Sequence, residues 1–262
     1  MTSEGKGGAI VTGAARGIGR QIAAGLVADG YGVVIADVDE TTGQATAEAL
    51  TQAGGGAAVF AKVDVTDRAS IQDAIGVCVK RFGSLKVMIN NAGYNKPEPF
   101  LDITEKTWRG ILEVNALGVL IGIQEAGKAM IAAGTKGKII NTASIAGRTG
   151  FPDFAPYCVS KAAVISLTQS AARALASKGI TVNAFAPGVV ATPLWEQLDK
   201  DLYAMGASTA PGEAMGSMAN QILLGRVADP KDVVGTVKFL WSEQSDYMTG
   251  QVLVIDGGMV LQ

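Results

Sequence analysis

The sequence predicts an α/β fold: one domain built on a doubly wound parallel sheet of about seven strands, with helices on both faces. Three observations predict this class. Short apolar segments typical of buried strands alternate with longer segments of helical periodicity along the chain. Glycine or polar residues follow the strand-like segments, and 262 residues is a normal length for one such domain. We therefore place a single domain at residues 1–262.

The strands and helices can be assigned in chain order. Strands are predicted at residues 9–11, 32–36, 57–63, 87–89, 138–141, 181–186 and 251–255. Helices are predicted at residues 20–28, 40–53, 67–82, 104–133 and 162–175, and a further helix begins at Asp229-Pro230. In sheets of this kind, ligands bind beyond the carboxyl ends of the strands. The residues that fall at these ends are Gly13, Asp37, Asp64, Asn91 and Ser144.

The segment at about residues 193–226 departs from this pattern, because its periodicity is weak and many of its residues are small. It is too long to be a plain connection between neighbouring elements. Long segments of this type in compact domains tend to be lids or binding loops. We therefore expect an inserted loop here that covers a ligand.

Composition excludes several classes of function. Apolar residues are 48%, charged residues 18% and the net charge is −2, so nothing indicates disorder, nucleic-acid binding or a polybasic membrane patch. The chain has no histidine, which excludes Ser-His-Asp and Cys-His nucleophiles and argues against a zinc site, so we expect no metal. The spacing of Cys78 and Cys158 matches no metal motif. With no apolar leader and no membrane-length run, the two thiols fit a reducing cytoplasm.

Residues 12–19 form a glycine-rich turn between a predicted strand and a predicted helix. Gly13, Gly17 and Gly19 allow the backbone to approach an anion closely, and Ile18 lies where free N–H groups begin a helix. An ordinary tight turn is the alternative. The strand before the turn and the helix after it favour a dinucleotide-binding site.

Asp37 ends the second predicted strand, where a carboxylate can accept hydrogen bonds from ribose hydroxyls. The same charge would repel a ribose 2′-phosphate, so the sequence predicts NAD rather than NADP. Arg16 is the one contrary feature, because a base in the glycine-rich turn can reach a phosphate. The alternative for Arg16 is a solvated surface side chain.

Tyr157 and Lys161 are four residues apart, so on a helix they share one face. An ammonium beside a phenol favours the phenolate, and we expect Lys161 to lower the pKa of Tyr157 towards neutrality. A tyrosine tuned in this way can exchange a proton with an alcohol oxygen. The alternative is a tyrosine and a lysine that share a helix surface by chance.

Together these residues resemble the short-chain dehydrogenase/reductase family, and the resemblance covers residues 8–258 or thereabouts. The matching positions are the turn at 12–19, Asn-Asn-Ala-Gly at 90–93, Asn115, Ser144, Tyr157, Lys161, Pro187-Gly188 and Thr192. The resemblance implies a Rossmann-type fold that binds a nicotinamide cofactor.

The resemblance also implies roles for individual residues. Tyr157 would be the general acid or base, and Lys161 would hydrogen-bond the nicotinamide ribose. Ser144 would donate to the substrate oxygen, and Asn115 would hold a water that connects Lys161 to solvent. Without the resemblance, Ser144 would be a strand-end cap and Asn115 a packing residue. The cofactor-binding residues expected are Gly13, Arg16, Gly17, Ile18, Gly19, Asp37, Asp64, Val65, Asn91, Ala92, Gly93, Tyr157, Lys161, Pro187, Gly188, Val190 and Thr192.

The substrate pocket is expected to lie between the ends of the central strands and the inserted loop. Its predicted residues are Asn95, Ile145, Phe151 and Trp195, with Tyr94 and Leu194 as further candidates. Most are uncharged and several are apolar, which suits a small neutral diol or hydroxy-ketone, and Asn95 can bind a second hydroxyl. Trp195 can equally be a core or lid residue.

Within the family, the chain is similar to acetoin reductases, which are 2,3-butanediol dehydrogenases, and to polyol dehydrogenases at residues 137–141, 192–197, 224–226, 245–251 and 256–260. The resemblance therefore implies an NAD-dependent oxidoreductase acting on a vicinal diol or hydroxy-ketone. The alternatives are a sorbitol- or galactitol-type polyol dehydrogenase, a 3-ketoacyl reductase, and a non-catalytic NAD-binding regulator.

The resemblance also implies an oligomeric state, because the family usually forms homotetramers. The residues offered for subunit contacts are Ala116, Leu117, Val119, Ile123, Ala163 and Val164.

Overall fold

The fold is organised by the parallel pairing of seven strands within residues 6–261, the part of the chain that the computed structural model describes. The strands are β1 (Gly8–Thr12), β2 (Gly32–Asp37), β3 (Ala58–Lys62), β4 (Leu85–Asn90), β5 (Gly137–Thr142), β6 (Ile180–Pro187) and β7 (Val252–Ile255). Their order in the sheet is β3-β2-β1-β4-β5-β6-β7. The predicted sheet is confirmed, and each predicted strand end is shifted by at most two residues. The first five residues and Gln262, where the predicted domain begins and ends, lie outside the described residues.

Helices connect the strands. They are α1 (Gly17–Ala28), α2 (Glu40–Gln52), α3 (Arg68–Phe82), α4 (Glu105–Leu112), α5 (Gly118–Ala132), α6 (Ala155–Leu175), α7 (Pro193–Ala204), α8 (Glu213–Ala219) and α9 (Pro230–Trp241). Short 3₁₀ turns lie at Phe100–Asp102, Ile145–Gly147, Pro152–Phe154, Ala176–Lys178 and Glu243–Ser245. At the start of α9, the Asp229 side chain accepts from Lys231 N and forms a capping box with Asp232, as the Asp-Pro pair predicts.

Four predicted segments differ in detail. Helices α1 and α6 begin three and seven residues earlier than predicted, at Gly17 and Ala155. The helix expected at residues 104–133 is interrupted by a π-helical turn, Glu113–Leu117, which separates α4 from α5. The segment expected to be an irregular inserted loop at 193–226 contains α7 and α8. Its glycines and small side chains weakened the helical periodicity in the sequence, but Pro193 is well suited to the first turn of a helix.

The two faces of the sheet bury two separate apolar cores, because successive residues of a strand point to opposite sides. Ile10 of β1 and Met88 of β4 pack with residues of α3, α5 and α6. Val11 and Ile89, the next residues of the same strands, pack with residues of α1, α2 and α9. This alternation places α6 on the face that also carries α5.

Some of the residues predicted for subunit contacts belong instead to the apolar core of the single chain, on the face of the sheet that carries α5 and α6. Val119, Ile123 and Val164 are 4%, 5% and 0% exposed within the single chain. Their burial follows from the packing of α5 and α6 on the sheet. Leu117, in contrast, is 43% exposed.

Buried polar side chains fix α6 on the centre of the sheet. The register places Asn90 of β4 beside Asn141 of β5, and Asn90 Nδ2 donates to Asn141 Oδ1 at 2.8 Å. Asn141 Nδ2 donates to Thr168 Oγ1 of α6 at 3.0 Å, and Thr168 Oγ1 donates to Val164 O at 2.8 Å. Asn141 and Thr168 are both fully buried. Because water cannot replace these partners, loss of one leaves a polar group unpaired.

We expect Thr168→Val to lower the free energy of unfolding by about 1–3 kcal/mol, because the Asn141 amide loses its buried acceptor while the volume of the side chain is kept. Thr41→Val is the matched control at an exposed position of α2 and should change stability by less than about 0.5 kcal/mol. Urea unfolding of both variants makes the measurement. Equal effects of the two substitutions would show that the buried hydrogen bonds of Asn141 and Thr168 do not stabilise the fold.

Candidate active site

The candidate site lies at the carboxyl ends of the strands, where the sheet order reverses between β1 and β4. The glycine-rich turn leaves β1 here. Gly13 has a φ of +63°, and a Cβ on Gly19 would lie 2.3 Å from the carbonyl oxygen of Gly13, so both positions require glycine. Helix α1 begins at Gly17 without a side-chain cap and without an acidic residue in its first turn. Its free N–H groups therefore suit the pyrophosphate of a dinucleotide.

Asn91, just after β4, holds this turn in place. Its Nδ2 donates to the carbonyl oxygens of Thr12 and Gly13 at 3.0 and 3.2 Å. Thr12 Oγ1 in turn accepts from the backbone N–H groups of Asn91 and Ala92 at 2.9 and 3.0 Å. The side chain of Asn91, predicted as a cofactor contact, is thus engaged with the protein itself. Thr12 was predicted only as the first residue of the turn. The role of its hydroxyl was missed, although a polar residue that ends an apolar strand is a signal that could have found it.

Asp37 ends β2 with its carboxylate beside the glycine-rich turn. Oδ2 accepts from Ala15 N at 2.9 Å, and Oδ1 accepts from Asp39 N at 3.1 Å. Each oxygen keeps a free lone pair, which suits the hydroxyls of an adenosine ribose. Arg16 is largely exposed, and its Nη2 lies 3.9 Å from Asp39 Oδ2. The base in the turn therefore faces a second carboxylate.

Asp64 and Val65 follow β3 and were predicted to lie over an adenine edge. Asp64 is exposed, and its Oδ1 accepts from Thr66 N and Thr66 Oγ1 at 2.9 and 2.7 Å. Val65 is buried against the start of α5, where a Cβ on Gly118 would lie 2.7 Å from Val65 Cγ2. These contacts fix the chain that follows β3, next to the end of β2 where Asp37 pairs with Lys62.

Lys161 is the most deeply buried charged group of the site. It is 3% exposed, and its Nζ donates to the carbonyl oxygen of Thr142, the last residue of β5, at 2.8 Å. Burial lowers the pKa of Lys161 to about 8. Nζ lies 5.5 Å from the ring centroid of Tyr157, one helical turn away. The predicted pair is therefore brought together on one face of α6.

Tyr157 differs from the expectation in its titration. In the ligand-free chain burial raises the pKa of Tyr157 to about 12, and a hydrogen bond from Ser144 acts in the opposite direction. The expected lowering of this pKa by Lys161 is therefore wrong for the chain alone. The physical reason is that both groups lose water, which disfavours the phenolate as well as the ammonium.

Ser144 follows β5 and faces Tyr157. Its Oγ accepts from Ala146 N at 3.1 Å, which caps the short turn Ile145–Gly147. It also interacts with the Tyr157 side chain, which opposes the rise of the Tyr157 pKa. The strand-end cap, one of the two alternatives for Ser144 in the sequence, is therefore present. The other alternative, donation to a substrate oxygen, stays a prediction.

Asn115 is fully buried in the π-helical turn, a feature often found at functional sites. Its Oδ1 accepts from Tyr94 N at 3.0 Å, and its Nδ2 donates to Tyr94 O at 2.8 Å and to Ser160 Oγ at 3.1 Å. A Cβ on Gly93 would lie 3.0 Å from Asn115 Oδ1 and 3.6 Å from Lys161 Nζ. Gly93 thus lies between the amide and the ammonium, and Ser160 is a partner that sequence reasoning missed.

The chain after β6 forms the far side of the site. Pro187 ends β6, and Val190 is buried and pairs with Ala228 in an isolated bridge. Thr192 precedes α7, and a Cβ on Gly17 would lie 3.7 Å from Thr192 Cγ2. The glycine-rich turn, with Ile18 in the first turn of α1, and the segment after β6 therefore face each other.

A cavity of about 60 Å³ opens beside Tyr157 and Ser144. All four residues predicted for a substrate pocket line it: Asn95, Ile145, Phe151 and Trp195, joined by the candidate Leu194. Tyr94 is instead 36% exposed, with its hydroxyl near Gly110. The lining residues that sequence reasoning missed are Ala146, Phe154, Gly188 (predicted for the cofactor), Val189, Leu198, Met218 and Met259.

Asn95 is the one amide among the described residues that line the cavity. It is 8% exposed, and its Oδ1 has no hydrogen-bond partner among the residues that the structure describes. A buried, unpaired acceptor is unfavourable, so a ligand hydroxyl in the cavity would remove a penalty as well as add a bond.

Among residues 6–261, no group of three or more cysteine, aspartate or glutamate side chains is arranged to hold a metal ion. In the same part of the chain, no helix combines the length and the apolar character needed to cross a membrane.

Comparison with known proteins identifies the family. The profile of the family described as enoyl-(acyl carrier protein) reductase matches residues 13–260. L-2,3-butanediol dehydrogenase of Corynebacterium glutamicum is 45% identical over 253 residues, which is 96% of this chain and 98% of that protein. Diacetyl reductase [(S)-acetoin forming] of Staphylococcus epidermidis is 40% identical over 252 residues, covering 96% and 98% of the two chains.

Two further matches agree. Galactitol 2-dehydrogenase of Agrobacterium fabrum is 41% identical over 250 residues, 95% of this chain and 96% of that protein. The crystal structure of a short-chain type dehydrogenase/reductase from Mycobacterium marinum is 32% identical, with a TM-score of 0.88, and the match covers 98% of this chain and 97% of that chain. This chain belongs to the short-chain dehydrogenase/reductase family and is an oxidoreductase that uses a nicotinamide cofactor.

Proposed function

We propose that this protein is an NAD-dependent dehydrogenase of small vicinal diols and hydroxy-ketones, of the 2,3-butanediol and acetoin type. The observation that carries the proposal is the cavity beside Tyr157 and Ser144, which is small, uncharged and contains one unpaired amide oxygen. The names of the relatives from Corynebacterium glutamicum and Staphylococcus epidermidis support the same substrate class.

The size and polarity of the cavity favour a short neutral substrate. Its volume of about 60 Å³ corresponds to roughly four to six water molecules, at about 10–15 Å³ for each. None of the described residues that line it is charged. A phosphate ester or a carboxylate would therefore enter without a counter-charge, which is costly in an apolar site. A four-carbon diol would enter without that penalty.

Asn95 supports a substrate with two oxygens. We assign the reacting oxygen to Tyr157 and Ser144, which are linked to each other in the cavity wall. The unpaired Oδ1 of Asn95 is then free to accept from the neighbouring hydroxyl. A simple alcohol would leave this acceptor unpaired, so the wall favours a diol.

The preference for NAD over NADP rests on Asp37. Its carboxylate ends β2 next to the turn and carries a negative charge where a 2′-phosphate would lie. Arg16 faces Asp39, which offsets its attraction for a phosphate. The turn itself, with Gly13, Gly17, Ile18 and Gly19, serves the pyrophosphate. The remaining contacts proposed for the cofactor are Arg16, Asp64, Val65, Asn91, Ala92, Gly93, Tyr157, Lys161, Pro187, Gly188, Val190 and Thr192.

We assign the proton chemistry to four residues. The cofactor supplies the hydride chemistry when bound. Tyr157 accepts the hydroxyl proton when an alcohol is oxidised and donates it when a ketone is reduced. Ser144 donates to the same substrate oxygen and stabilises the charge that develops there. Lys161 binds the ribose and favours the phenolate, and Asn115 holds the water through which protons reach Lys161.

The same features of the site also decide between the proposed function and the alternative functions. A polyol dehydrogenase shares the mechanism, and the galactitol 2-dehydrogenase relative supports it, but the small cavity favours a shorter substrate. A 3-ketoacyl reductase would use NADPH and a basic docking surface, which Asp37 and the net charge of −2 oppose. A non-catalytic regulator would not need to keep Tyr157 and Lys161 side by side.

We further propose a homotetramer in the cytoplasm. Trp108, Leu117 and Val159 are 39%, 43% and 43% exposed on α4, the π-helical turn and α6, which leaves apolar surface for subunit contacts. The buried free thiols of Cys78 and Cys158 suit a reducing compartment.

We also propose that residues 193–226 act as the substrate loop, because Leu194, Trp195, Leu198 and Met218 reach the cavity.

A spectrophotometric panel tests the proposed function. We expect strong turnover of one or more 2,3-butanediol isomers with NAD⁺, because a short diol satisfies both Asn95 and the Tyr157–Ser144 pair. The panel includes NADP⁺, sorbitol, galactitol and 1,2-diols. Turnover of hexitols alone would move the substrate to polyols. A preference for NADP⁺ would mean that Arg16 outweighs Asp37.

We expect Tyr157→Phe to reduce kcat by about 10²–10⁴-fold, because the phenolic proton is lost while the ring is kept. The Kd for NAD⁺, measured by fluorescence titration, should stay near that of the wild type. Tyr247→Phe is the matched control, since this tyrosine is fully exposed. Unchanged turnover in Tyr157→Phe would rule out its role as acid or base.

We expect Lys161→Met to abolish most turnover and to make the free energy of unfolding, relative to that of the wild type, higher at pH 7 than at pH 9.5. Burial lowers the pKa of Lys161 from 10.5 to about 8, which corresponds to roughly 3 kcal/mol against the ammonium form. The penalty is fully present below pH 8 and is lost as pH rises through the unfolded-state pKa near 10.5. Set against the constant cost of losing the hydrogen bond to Thr142 O, removal of this penalty should give a relative gain that is largest near neutral pH and shrinks between pH 8 and pH 10.

Chemical denaturation at pH 7 and pH 9.5 measures this difference, with Lys178→Met as the control at an exposed lysine. A gain that is independent of pH would mean that the buried charge is not its source.

A further inference from the structure

The chain beyond β7 forms one wall of the substrate cavity. Strand β7 ends at Ile255, and residues 256–260 then turn back so that Met259 lines the same cavity as Ser144 and Tyr157. Met259 lies in the tail 256–260, which is similar to acetoin reductases, but nothing in the sequence predicts that it lines the cavity. Its place depends on how residues 256–260 fold.

Asp256 closes this segment into a compact turn around Met259. Its Oδ1 accepts from Gly258 N at 2.9 Å, and its Oδ2 accepts from Val260 N at 2.7 Å. Its carbonyl oxygen accepts from Met259 N at 3.3 Å. The residues on either side of Met259 are therefore bonded to one carboxylate, which fixes the backbone from which the methionine projects.

The turn is also tied to the two segments that flank the cavity. Gly188 N donates to Ile255 O at 3.0 Å, and a Cβ on Gly188 would lie only 2.8 Å from Asp256 Cβ. Leu224 N, beyond α8, donates to Gly257 O at 3.1 Å. Movement of the turn would therefore disturb both the segment after β6 and the chain that follows α8.

We propose that Met259 sets the length of the alcohol that the cavity accepts, and that Asp256 is the residue that positions it. The proposal rests on the proposed function, because it concerns the same site. A methionine is long and unbranched, and it fills an irregular space well. Replacement by alanine removes three heavy atoms from the wall of a cavity of about 60 Å³, which is a large relative change. The added space should admit longer alcohols.

The test measures kcat/KM for a homologous series from 2,3-butanediol to 3,4-hexanediol, with galactitol as the longest substrate. We expect Met259→Ala to raise the ratio of the longer to the shorter substrate by at least about 10-fold, the effect typical of one or two methylene groups in an apolar pocket. Met259→Phe should shift the preference in the opposite direction, towards 1,2-propanediol. Leu261→Ala is the matched control, since Leu261 is 80% exposed in the same part of the chain and does not line the cavity.

The role of Asp256 is tested by whether its variants change KM, kcat or both. We expect Asp256→Ala to raise KM for the alcohol while kcat and the Kd for NAD⁺ change little, because the wall is displaced and the reacting groups are not. Asp256→Asn keeps one acceptor and should restore part of the loss. A fall in kcat and in NAD⁺ affinity, with no change in KM, would show a purely structural role and overturn this assignment.

The outcomes separate the two proposals. If the wild type oxidises only hexitols, the proposed substrate is wrong, and the length ratio in Met259→Ala is measured on the polyol series instead. If the wild type oxidises 2,3-butanediol but neither Met259 variant changes the length ratio, the proposed function stands and Met259 does not set substrate length.

Discussion

The docking of α6 on the centre of the sheet is the constraint on which the rest of the site depends. Two adjacent residues of β5 make the attachment: Asn141 through its side chain to Thr168, and Thr142 through its carbonyl oxygen to Lys161. The two contacts are seven residues apart on the helix, about two turns. Both are buried, where satisfied hydrogen bonds are strong and broken ones are costly. Tyr157, one turn before Lys161, is placed by the same attachment.

Burial has opposite consequences for geometry and for proton chemistry in this site. It fixes Lys161 and Tyr157 beside each other, but it lowers the pKa of the lysine and raises the pKa of the tyrosine. Both shifts disfavour charge, because water is excluded from both groups. The chain alone does not supply the lower tyrosine pKa that the proposed reaction needs. When bound, the positive charge of an oxidised nicotinamide ring would add to that of Lys161 in favouring the phenolate.

Much of this arrangement could be predicted from the sequence, because it depends on local pattern. The alternation of strands and helices predicted the sheet, and the polar residues at strand ends predicted where Asp37 and Ser144 would lie. The spacing of Tyr157 and Lys161 predicted a shared helix face.

Other features depend on contacts between distant parts of the chain, and no local pattern reports them. Met218 and Met259 reach one cavity from α8 and from beyond β7. The direction of the Tyr157 pKa shift depends on the depth of burial, which spacing does not show. Residues 193–226 were expected to be irregular because glycine and small residues weaken helical periodicity, yet packing against the cavity supports α7 and α8.

The π-helical turn has a consequence for the whole of the helical segment that contains it. Buried residues lie on both sides of it: Thr107 and Ile111 before, Asn115 within, and Ala126 and Met130 after, and Met130 is 23 positions beyond Thr107. Six regular turns of an α-helix contain about 21.6 residues, so an uninterrupted helix would leave these two ends out of phase by about 1.4 residues, or roughly 140°. The widened turn absorbs about one residue of this offset. Removing one residue there would rotate α5 by about 100° relative to Asn115, so either the amide or Met130 would face the wrong way. The rotation that the π-helical turn introduces therefore allows the segment from α4 to α5 to place Asn115 in the site and Met130 in the core.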